Sequence, residues 1–398
     1  MPLRCYISPN APNSGVLRTA IGLLILLVGT ARAEPYLPSD DAEVLERVPA
    51  AAETRELEPL RQRLLASPSD LTAAVQLATG YLQIGRETAD PRFTSYAQAT
   101  IAPWLKSPTP PVEMLVLSAT ALQSTHQFDA SLAALDQALQ ADPTNAQAWL
   151  TKATVLQVQG KFAEAREACG NLLRSADQLV AVSCVANVNG LNGRLQQSYQ
   201  SLERLIPMTA QSSDLRSWIE GQLGEMATRL GDLAAAERHF LTALKATPGD
   251  VYLKAAYADL LLTQNRHADV ISLLDANEQQ DVLLLRLAIA GKRSQHPSAP
   301  RWTDTFDARY QAAQRAGDTS HLREYARFLL EVRDDAKAAL DVARKNWQVQ
   351  REPADILVYL NAASGSRSPD AAAEVLAWIR ETGYEDRAVA ALQTGAKP

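Results

Sequence analysis

Small and large apolar residues recur along the chain in an order that predicts paired helices. In the clearest stretch, Leu223 and Gly224 are followed by Ala227, a spacing that places all three on one side of a helix. After a short break, Ala236 is followed four positions later by Phe240, which predicts a second helix. Small residues let two helices approach closely, and the aromatic ring fills the space beside them. The same order recurs through much of the chain and predicts a series of helix pairs.

The break between the two helices of each pair carries its own signal. A glycine followed by a polar residue marks it in four places, and His126 and Asn265 take the same place in two others. Glycine permits the left-handed backbone conformation that ends a helix before a turn. The successive intervals are 41, 34, 33, 38 and 34 residues, and a period near 34 predicts a helical repeat protein. The four glycines are Gly85, Gly160, Gly193 and Gly231.

These residues resemble the tetratricopeptide-repeat family, whose pattern is Trp-x2-Leu-Gly-x2-Tyr, then Ala-x3-Phe, then Pro. The unit from Ser217 to Asp250 matches best, although Glu220 stands where the family prefers Trp. The resemblance implies an all-α fold, a right-handed superhelical solenoid of antiparallel helix pairs. The alternative is an unrelated all-α bundle with accidental spacing. The matching structural positions are Ala78, Tyr81, Gly85, Trp149, Gly160, Gly224, Gly231, Ala236, Phe240 and Pro248.

The pattern divides the chain into four regions: a signal peptide at 1–33, a lead-in or cap at 34–70, repeats at 71–280, and degenerate helical repeats with a C-terminal cap at 281–398. The lead-in contains one predicted helix, Glu53–Ala66. The six predicted repeats are 71–106, 112–145, 146–178, 179–213, 217–250 and 251–280. The three predicted pairs beyond them are Leu283–Gly291 with Trp302–Ala316, Leu322–Val332 with Asp335–Trp347, and Asp355–Ala363 with Asp370–Ile379.

The first residues predict export. Arg4 and Arg18 precede an apolar stretch from Ala20 to Val28, and the small-x-small sequence Ala31-Arg32-Ala33 follows it, as in a Sec-type signal peptide. A membrane anchor is the alternative, but a bilayer requires about 20 apolar residues. We therefore expect cleavage after Ala33, a periplasmic or secreted protein, and no stable membrane span afterwards.

Charge and cysteine content narrow the expected chemistry. The formal net charge of −6 argues against nucleic acid as a partner, because nucleic-acid binding needs a concentrated basic face. Cleavage would remove Cys5 and leave Cys169 and Cys184. A disulfide is open to them in an oxidising compartment. However, Cys169 takes the packing position that Phe240 fills elsewhere, and this favours two buried thiols.

Catalytic and metal-binding patterns are absent from the sequence. The five histidines show no metal-ligand spacing, and no nucleophile elbow or phosphate-binding glycine loop occurs. We therefore expect no cofactor, no metal and no enzymatic activity. One alternative is an enzyme or enzyme subunit with its chemistry in the irregular 281–398 region. The candidate catalytic residues of such an enzyme would be His296, His321, Asp334 and Asp335. A second alternative is a self-associating structural repeat protein.

The expected function is therefore binding of a protein or peptide partner of unknown identity, as an adaptor, assembly factor or scaffold. In solenoids the concave face is lined by the first helix of each unit. One residue past each small packing residue, this face carries an ordered row of neutral polar residues and then two acids, which favour a basic or N-terminal segment at that end. The candidate contact residues are Thr79, Thr120, Thr154, Asn187, Glu225 and Asp259, with Arg229 beside them.

Overall fold

Helices are the only regular elements in the described part of the chain. The computed structural model describes residues 52–175, 178–209, 213–315, 317 and 321–394. The predicted signal peptide and its cleavage site at Ala33 lie outside these ranges. A 3₁₀ helix at Ala52–Leu57 and the helix α1 at Glu58–Ala66 come first and pack on the first repeat.

Six helix pairs then follow within the region predicted to contain repeats. The two helices of each pair pack against each other, and each first helix also contacts the first helix of the next pair. The pairs are α2 (Leu71–Thr88) with α3 (Pro91–Ile101), α4 (Val112–Ser124) with α5 (Phe128–Ala141), α6 (Ala146–Val158) with α7 (Phe162–Leu172), α8 (Gln178–Leu191) with α9 (Leu195–Glu203), α10 (Ser213–Leu230) with α11 (Leu233–Ala246), and α12 (Val251–Thr263) with α13 (His267–Leu274).

Three further pairs continue the arrangement beyond residue 280, and one last helix follows them. They are α14 (Asp281–Ser294) with α15 (Ala299–Arg315), α16 (Leu322–Glu331) with α17 (Ala336–Trp347), and α18 (Pro353–Gly365) with α19 (Pro369–Thr382), and the last helix is α20 (Arg387–Thr394). The predicted fold class, an all-α solenoid of helix pairs, is confirmed.

The turn between the two helices of each pair contains one residue with positive φ. Glycine occupies it in only three pairs, and the other six use residues with side chains. The nine residues are Ala89, His126, Gly160, Gly193, Gly231, Asn265, Gln295, Asp334 and Arg367. The same turn therefore persists in the last three pairs, where the sequence pattern decays.

Gly85 does not have the predicted role. The helix α2 continues past it to Thr88, and Ala89 takes the left-handed conformation instead. Asp90 then caps α3, its side chain accepting a hydrogen bond from the amide of Arg92. A Cβ at Gly85 would lie 3.4 Å from the Cβ of Phe93, so Gly85 serves close packing between the two helices of the first pair.

The fifth pair shows why the family positions need small residues. A Cβ at Gly224 would lie 2.7 Å from the ring of Phe240, and Ala236 is fully buried. Beyond the end of α11, Pro248 precedes Asp250, whose side chain caps α12. Ala78 and Tyr81 are buried in the first pair. Trp149 is partly buried and donates to the carbonyl oxygen of Pro143 over 2.9 Å.

The expectation of two buried thiols is wrong. Cys169 on α7 and Cys184 on α8 form a disulfide, with their Cα atoms 5.6 Å apart. Both residues are buried in the same hydrophobic core. The packing position of Cys169 faces the next pair's first helix, so a thiol placed there meets the thiol of Cys184. The bridge joins the third pair to the fourth.

The last helices return to the turns of earlier pairs. A Cβ at Gly160 would lie 2.9 Å from the ring of Trp378, and one at Gly193 would lie 3.4 Å from the carbonyl oxygen of Gly383. The side chain of Arg387 packs in the same way against Gly231. We call these three close contacts, together, the return contact. It brings residues 378–387 against the third, fourth and fifth pairs.

Hydrogen bonds and a shared core accompany the return contact. The amide of Arg351 donates to the carbonyl oxygen of Val158 over 2.8 Å, and the side chain of Asn192 donates to the carbonyl oxygen of Thr382 over 2.5 Å. One hydrophobic core contains buried residues from 153–191 and from 326–389. Across the described ranges, no helix is both long enough and apolar enough to span a bilayer.

Candidate partner-binding surface

The predicted row lies on six successive first helices, as the spacing required. Each member follows a buried small residue, and the row runs from α2 to α12. Thr79 and Thr154 are exposed, whereas the remaining members are half-buried. Those remaining members are Thr120, Asn187, Glu225 and Asp259.

The first half of the row presents hydroxyl oxygens. Thr120 donates to the carbonyl oxygen of Val116, and Thr154 donates to that of Leu150, both over 3.0 Å. A hydroxyl group that donates to its own helix can still accept a hydrogen bond from elsewhere. Within the described ranges, neither these two threonines nor Thr79 bonds to a neighbouring unit. This half of the row therefore keeps acceptor capacity for a partner.

The second half of the row links neighbouring units. Asn187 donates to the side chain of Gln157 over 3.1 Å. Asp259 accepts from Arg286 over 2.6 Å and from Arg327 over 2.7 Å. These two arginines outweigh the desolvation that burial imposes on Asp259, so the pKa of its carboxyl lies below the usual value. The negative charge of Asp259 is thus compensated by these two arginines within the protein.

Glu225 and Arg229 differ in their hydrogen-bond partners and in their exposure to solvent. Glu225 accepts a hydrogen bond from the hydroxyl of Tyr252 on the next first helix. Arg229 is 6% exposed, donates to the carbonyl oxygen of Gly190 over 2.7 Å, and places its guanidinium 5.7 Å from the ring centre of Tyr384. Arg229 therefore belongs to the interior between units and does not lie on the surface where it was expected.

A charged cluster beside the row was not foreseen as a unit. Arg323 on α16 lies 2.6 Å from Glu352, 3.2 Å from Glu324 and 3.7 Å from Asp355. Burial raises the pKa of Glu324, but the charges of Arg323 and its neighbours outweigh this and hold the pKa at about 2. The sequence signal was weak because these residues come from two degenerate pairs, α16 and α18, whose spacing no longer matches the repeat.

A family comparison now bears on this geometry. Residues 122–181, which span α5 to α7 and parts of the helices on either side, match the sequence model of the tetratricopeptide repeat. The same helix pairing and left-handed turn recur before and after that match. Residues 122–181 of the chain therefore contain tetratricopeptide repeats. Tetratricopeptide repeats generally serve protein–protein interaction or scaffolding and are generally non-catalytic.

Solved tetratricopeptide-repeat structures are similar to this chain at low identity. Human IFIT1, solved as a dimer with PPP-AAAA, is 15% identical over 81% of this chain and 77% of its own, with a TM-score of 0.47. The APC/C hetero-tetramer Cut9-Hcn1 is 13% identical over 80% of this chain and 51% of its own, with a TM-score of 0.41. A tetratricopeptide repeat protein from Parabacteroides merdae is 14% identical over 59% of this chain and 91% of its own, with a TM-score of 0.37. No curated protein matches the chain.

Three of the four residues considered for an enzyme have structural roles in the fold. His296 stacks on Trp302 with ring centres 4.9 Å apart. Asp334 forms an ion pair with Lys292, and Asp335 caps α17 by accepting from the amide of Ala338. His321 precedes α16. The described residues contain no group of three side chains of the kinds that bind metals.

An open cleft of about 430 Å³ lies near these residues, on α15 and the turn after α16. Its acids are Asp304 and Asp307, and Asp307 forms an ion pair with Arg333 at 2.6 Å. His296 and His321 are not among the residues that line it. The acids and histidines of this region therefore do not converge on this cleft.

Proposed function

We propose that this protein is an exported scaffold that binds a segment of a partner protein along its row of first-helix positions. The observation that carries the proposal is the difference between the two halves of the row. In the second half, Asn187 and Asp259 bond to side chains of neighbouring units, whereas Thr79, Thr120 and Thr154 keep acceptor capacity. Hydroxyl oxygens suit the backbone amides of an extended segment, which need acceptors once they leave water.

Two independent features favour export. The first is the apolar stretch from Ala20 to Val28, followed by Ala31-Arg32-Ala33. The second is the disulfide between Cys169 and Cys184, because disulfides persist in oxidising compartments and are rare in the cytosol. A single location, outside the cytoplasm, accounts for both.

One sample from the native host tests export. We expect the purified protein to begin at Glu34 and, when denatured without reductant, to contain fewer than one free thiol per chain. Intact-mass and N-terminal peptide spectrometry measure the first quantity, and thiol titration measures the second. The same sample after reduction is the control and must give two thiols. A protein that keeps residues upstream of Ala20 and in which every cysteine titrates as a free thiol before reduction contradicts export.

A matched pair of variants tests the binding row. We expect the double substitution Thr79→Arg and Thr154→Arg to weaken partner binding about tenfold, because two long charged side chains then occupy the row. Both positions are exposed, so the melting temperature is expected to change little. The partner is recovered from a periplasmic extract with the wild-type mature chain, and its affinity is measured by calorimetry.

Thr242→Arg is the control for this experiment. Thr242 lies on α11, a second helix, and donates to the carbonyl oxygen of Arg238 as Thr154 donates to that of Leu150. We expect this variant to bind as the wild type does. A double variant that melts normally and keeps wild-type affinity would show that the partner binds elsewhere.

A further inference from the structure

Four side chains on two successive first helices share one part of the inner face. Trp218, Gln222 and Glu225 are spaced by four and three residues, which places them on one side of α10. Tyr252 reaches the same place from α12, because its hydroxyl donates to Glu225. Trp218 and Tyr252 lie 34 residues apart, one repeat, so the two aromatic rings hold equivalent positions in consecutive units.

The two rings are unusually open to water. Trp218 is 38% exposed and Tyr252 is 61% exposed, although most large apolar side chains of the first helices are buried. Both rings are therefore accessible to a ligand that approaches from solvent.

The carboxylate of Glu225 lies on the same side of α10 as Trp218, and the positive charges of Arg229 and Arg323 act on it only from beyond ion-pair distance. Asp259, one repeat further on, is paired with Arg286 and Arg327. By contrast, no described cationic side chain forms an ion pair with Glu225, whose hydrogen-bond donor is the neutral Tyr252. Desolvation raises the pKa of Glu225 above its usual value. A carboxylate in such surroundings gains strongly from a cation that approaches it.

Gln222 supplies a second, independent sign of a ligand. Its side chain is only 6% exposed, and neither its amide nitrogen nor its amide oxygen has a hydrogen-bond partner among the described residues. Buried amides are almost always hydrogen-bonded, since leaving them unpaired is costly. A ligand beside Gln222 that donates hydrogen bonds would satisfy the oxygen.

The chemistry of the four side chains selects a cation. Aromatic faces attract ammonium and guanidinium groups through the negative charge density of the ring. A carboxylate adds charge, and an amide oxygen accepts the N–H groups that such cations carry. An anion would be repelled by Glu225, and a purely apolar group would leave both Glu225 and Gln222 without partners.

We infer that Trp218, Gln222, Glu225 and Tyr252 form a recognition site for a cationic group, an ammonium or a guanidinium, on the partner segment. The inference rests on the proposed binding function and specifies a positively charged group on the partner segment. The segment carries a Lys, an Arg or a free N-terminus where it passes α10. The neutral hydroxyls of the first half of the row then meet its backbone.

Blocked model peptides test the site directly. The probe is a fluorescently labelled peptide with repeated Gly-Ser-Lys, compared with a peptide of the same length in which norleucine replaces Lys. Fluorescence anisotropy with the mature protein measures both affinities. We expect the wild type to bind the lysine peptide at least fivefold more tightly than the norleucine peptide. Two further peptides, one with Arg and one with a free N-terminus and no Lys, show which cation is preferred.

Glu225→Gln is the decisive variant, because its amide oxygen still accepts from Tyr252 and only the charge is lost. We expect the affinity ratio of the two peptides to fall to about one. Trp218→Leu removes one ring and is expected to lower the lysine-peptide affinity severalfold. Glu164→Gln, an exposed position on the second helix α7, is the matched control and must keep the wild-type ratio.

Two results overturn the inference. One is a wild-type protein that binds the lysine and norleucine peptides equally, and the other is a preference that survives Glu225→Gln. Failure of the proposed function is distinguishable from these. If Thr79→Arg with Thr154→Arg abolishes partner binding but no lysine preference exists, the binding row stands and the cation site does not. If the preference exists but the row variants bind the partner normally, the row is wrong.

Discussion

Replacing Arg323 with Met is expected to lower the free energy of unfolding by about 3 kcal/mol at neutral pH, the cost typical of leaving buried charges without their partner. The guanidinium of Arg323 is 24% exposed and lies within ion-pair distance of Glu324, Glu352 and Asp355. Methionine fills a similar volume but compensates none of the three carboxylates. Chemical denaturation of the mature protein, followed by circular dichroism, measures the change.

The pH dependence of this loss provides a sharper check. The pKa of Glu324 is about 2 in the folded protein, below its usual value of 4.5. A carboxyl with a lowered pKa contributes stability that is present above about pH 4.5 and is lost as the pH falls toward 2. The difference between wild type and Arg323→Met should therefore shrink over this range.

Arg61→Met is the control for the charge effect. Arg61 pairs with Glu58 on the surface of α1, where both side chains are about half exposed. Surface pairs of this kind contribute little, so the free energy of unfolding should change by less than about 1 kcal/mol. If Arg323→Met is as stable as Arg61→Met, the charged cluster does not stabilise the fold.

Replacing Trp378 with Ala is expected to cost about 3 kcal/mol and to loosen the end of the chain. The indole packs against Gly160, and its ring centre lies 5.8 Å from that of Phe162 and 5.4 Å from that of Trp347. Removing it leaves a cavity at the return contact, and truncation of large aromatic residues in a core costs about 3–5 kcal/mol. The lower end applies because Trp378 is only partly buried.

Two measurements check this prediction. Thermal or chemical denaturation reports the stability, and limited proteolysis reports how readily α20 (Arg387–Thr394) is cleaved away. Leu241→Ala is the control, since Leu241 is 49% exposed on α11. We expect faster cleavage near residue 383 only in the Trp378 variant. Equal stability and equal cleavage in both variants would mean that the return contact contributes nothing to holding the last helices.

The sequence predicted much of the repeat architecture because the repeat is a local pattern. Gly224 and Phe240 lie 16 residues apart, within one unit, and their sizes must match wherever two helices cross closely. By contrast, Gln295, Asp334 and Arg367 adopt the left-handed turn without glycine. Their units were therefore recognised as helix pairs but not as continuing the same turn geometry.

The long-range features were beyond a one-dimensional pattern. The spacing placed Glu225 and Asp259 on the same row but could not show that Arg286 and Arg327 form ion pairs with Asp259. Arg286 comes from the next unit, and Arg327 lies 68 residues from Asp259. The Gly193–Gly383 approach joins residues 190 positions apart. Such contacts depend on how far the superhelix turns over several units, which no single repeat encodes.

The return contact has a consequence for how this protein can change in length. An open solenoid can gain or lose a unit at small cost, because each unit contacts only its neighbours. Here Gly160, Gly193 and Gly231 meet Trp378, Gly383 and Arg387 in matching order. An added or deleted unit between the three glycines and their three partners would shift the two sets relative to each other and break all three contacts together. The number of repeats between the two sets of residues is therefore fixed by these three contacts, unlike in an open solenoid.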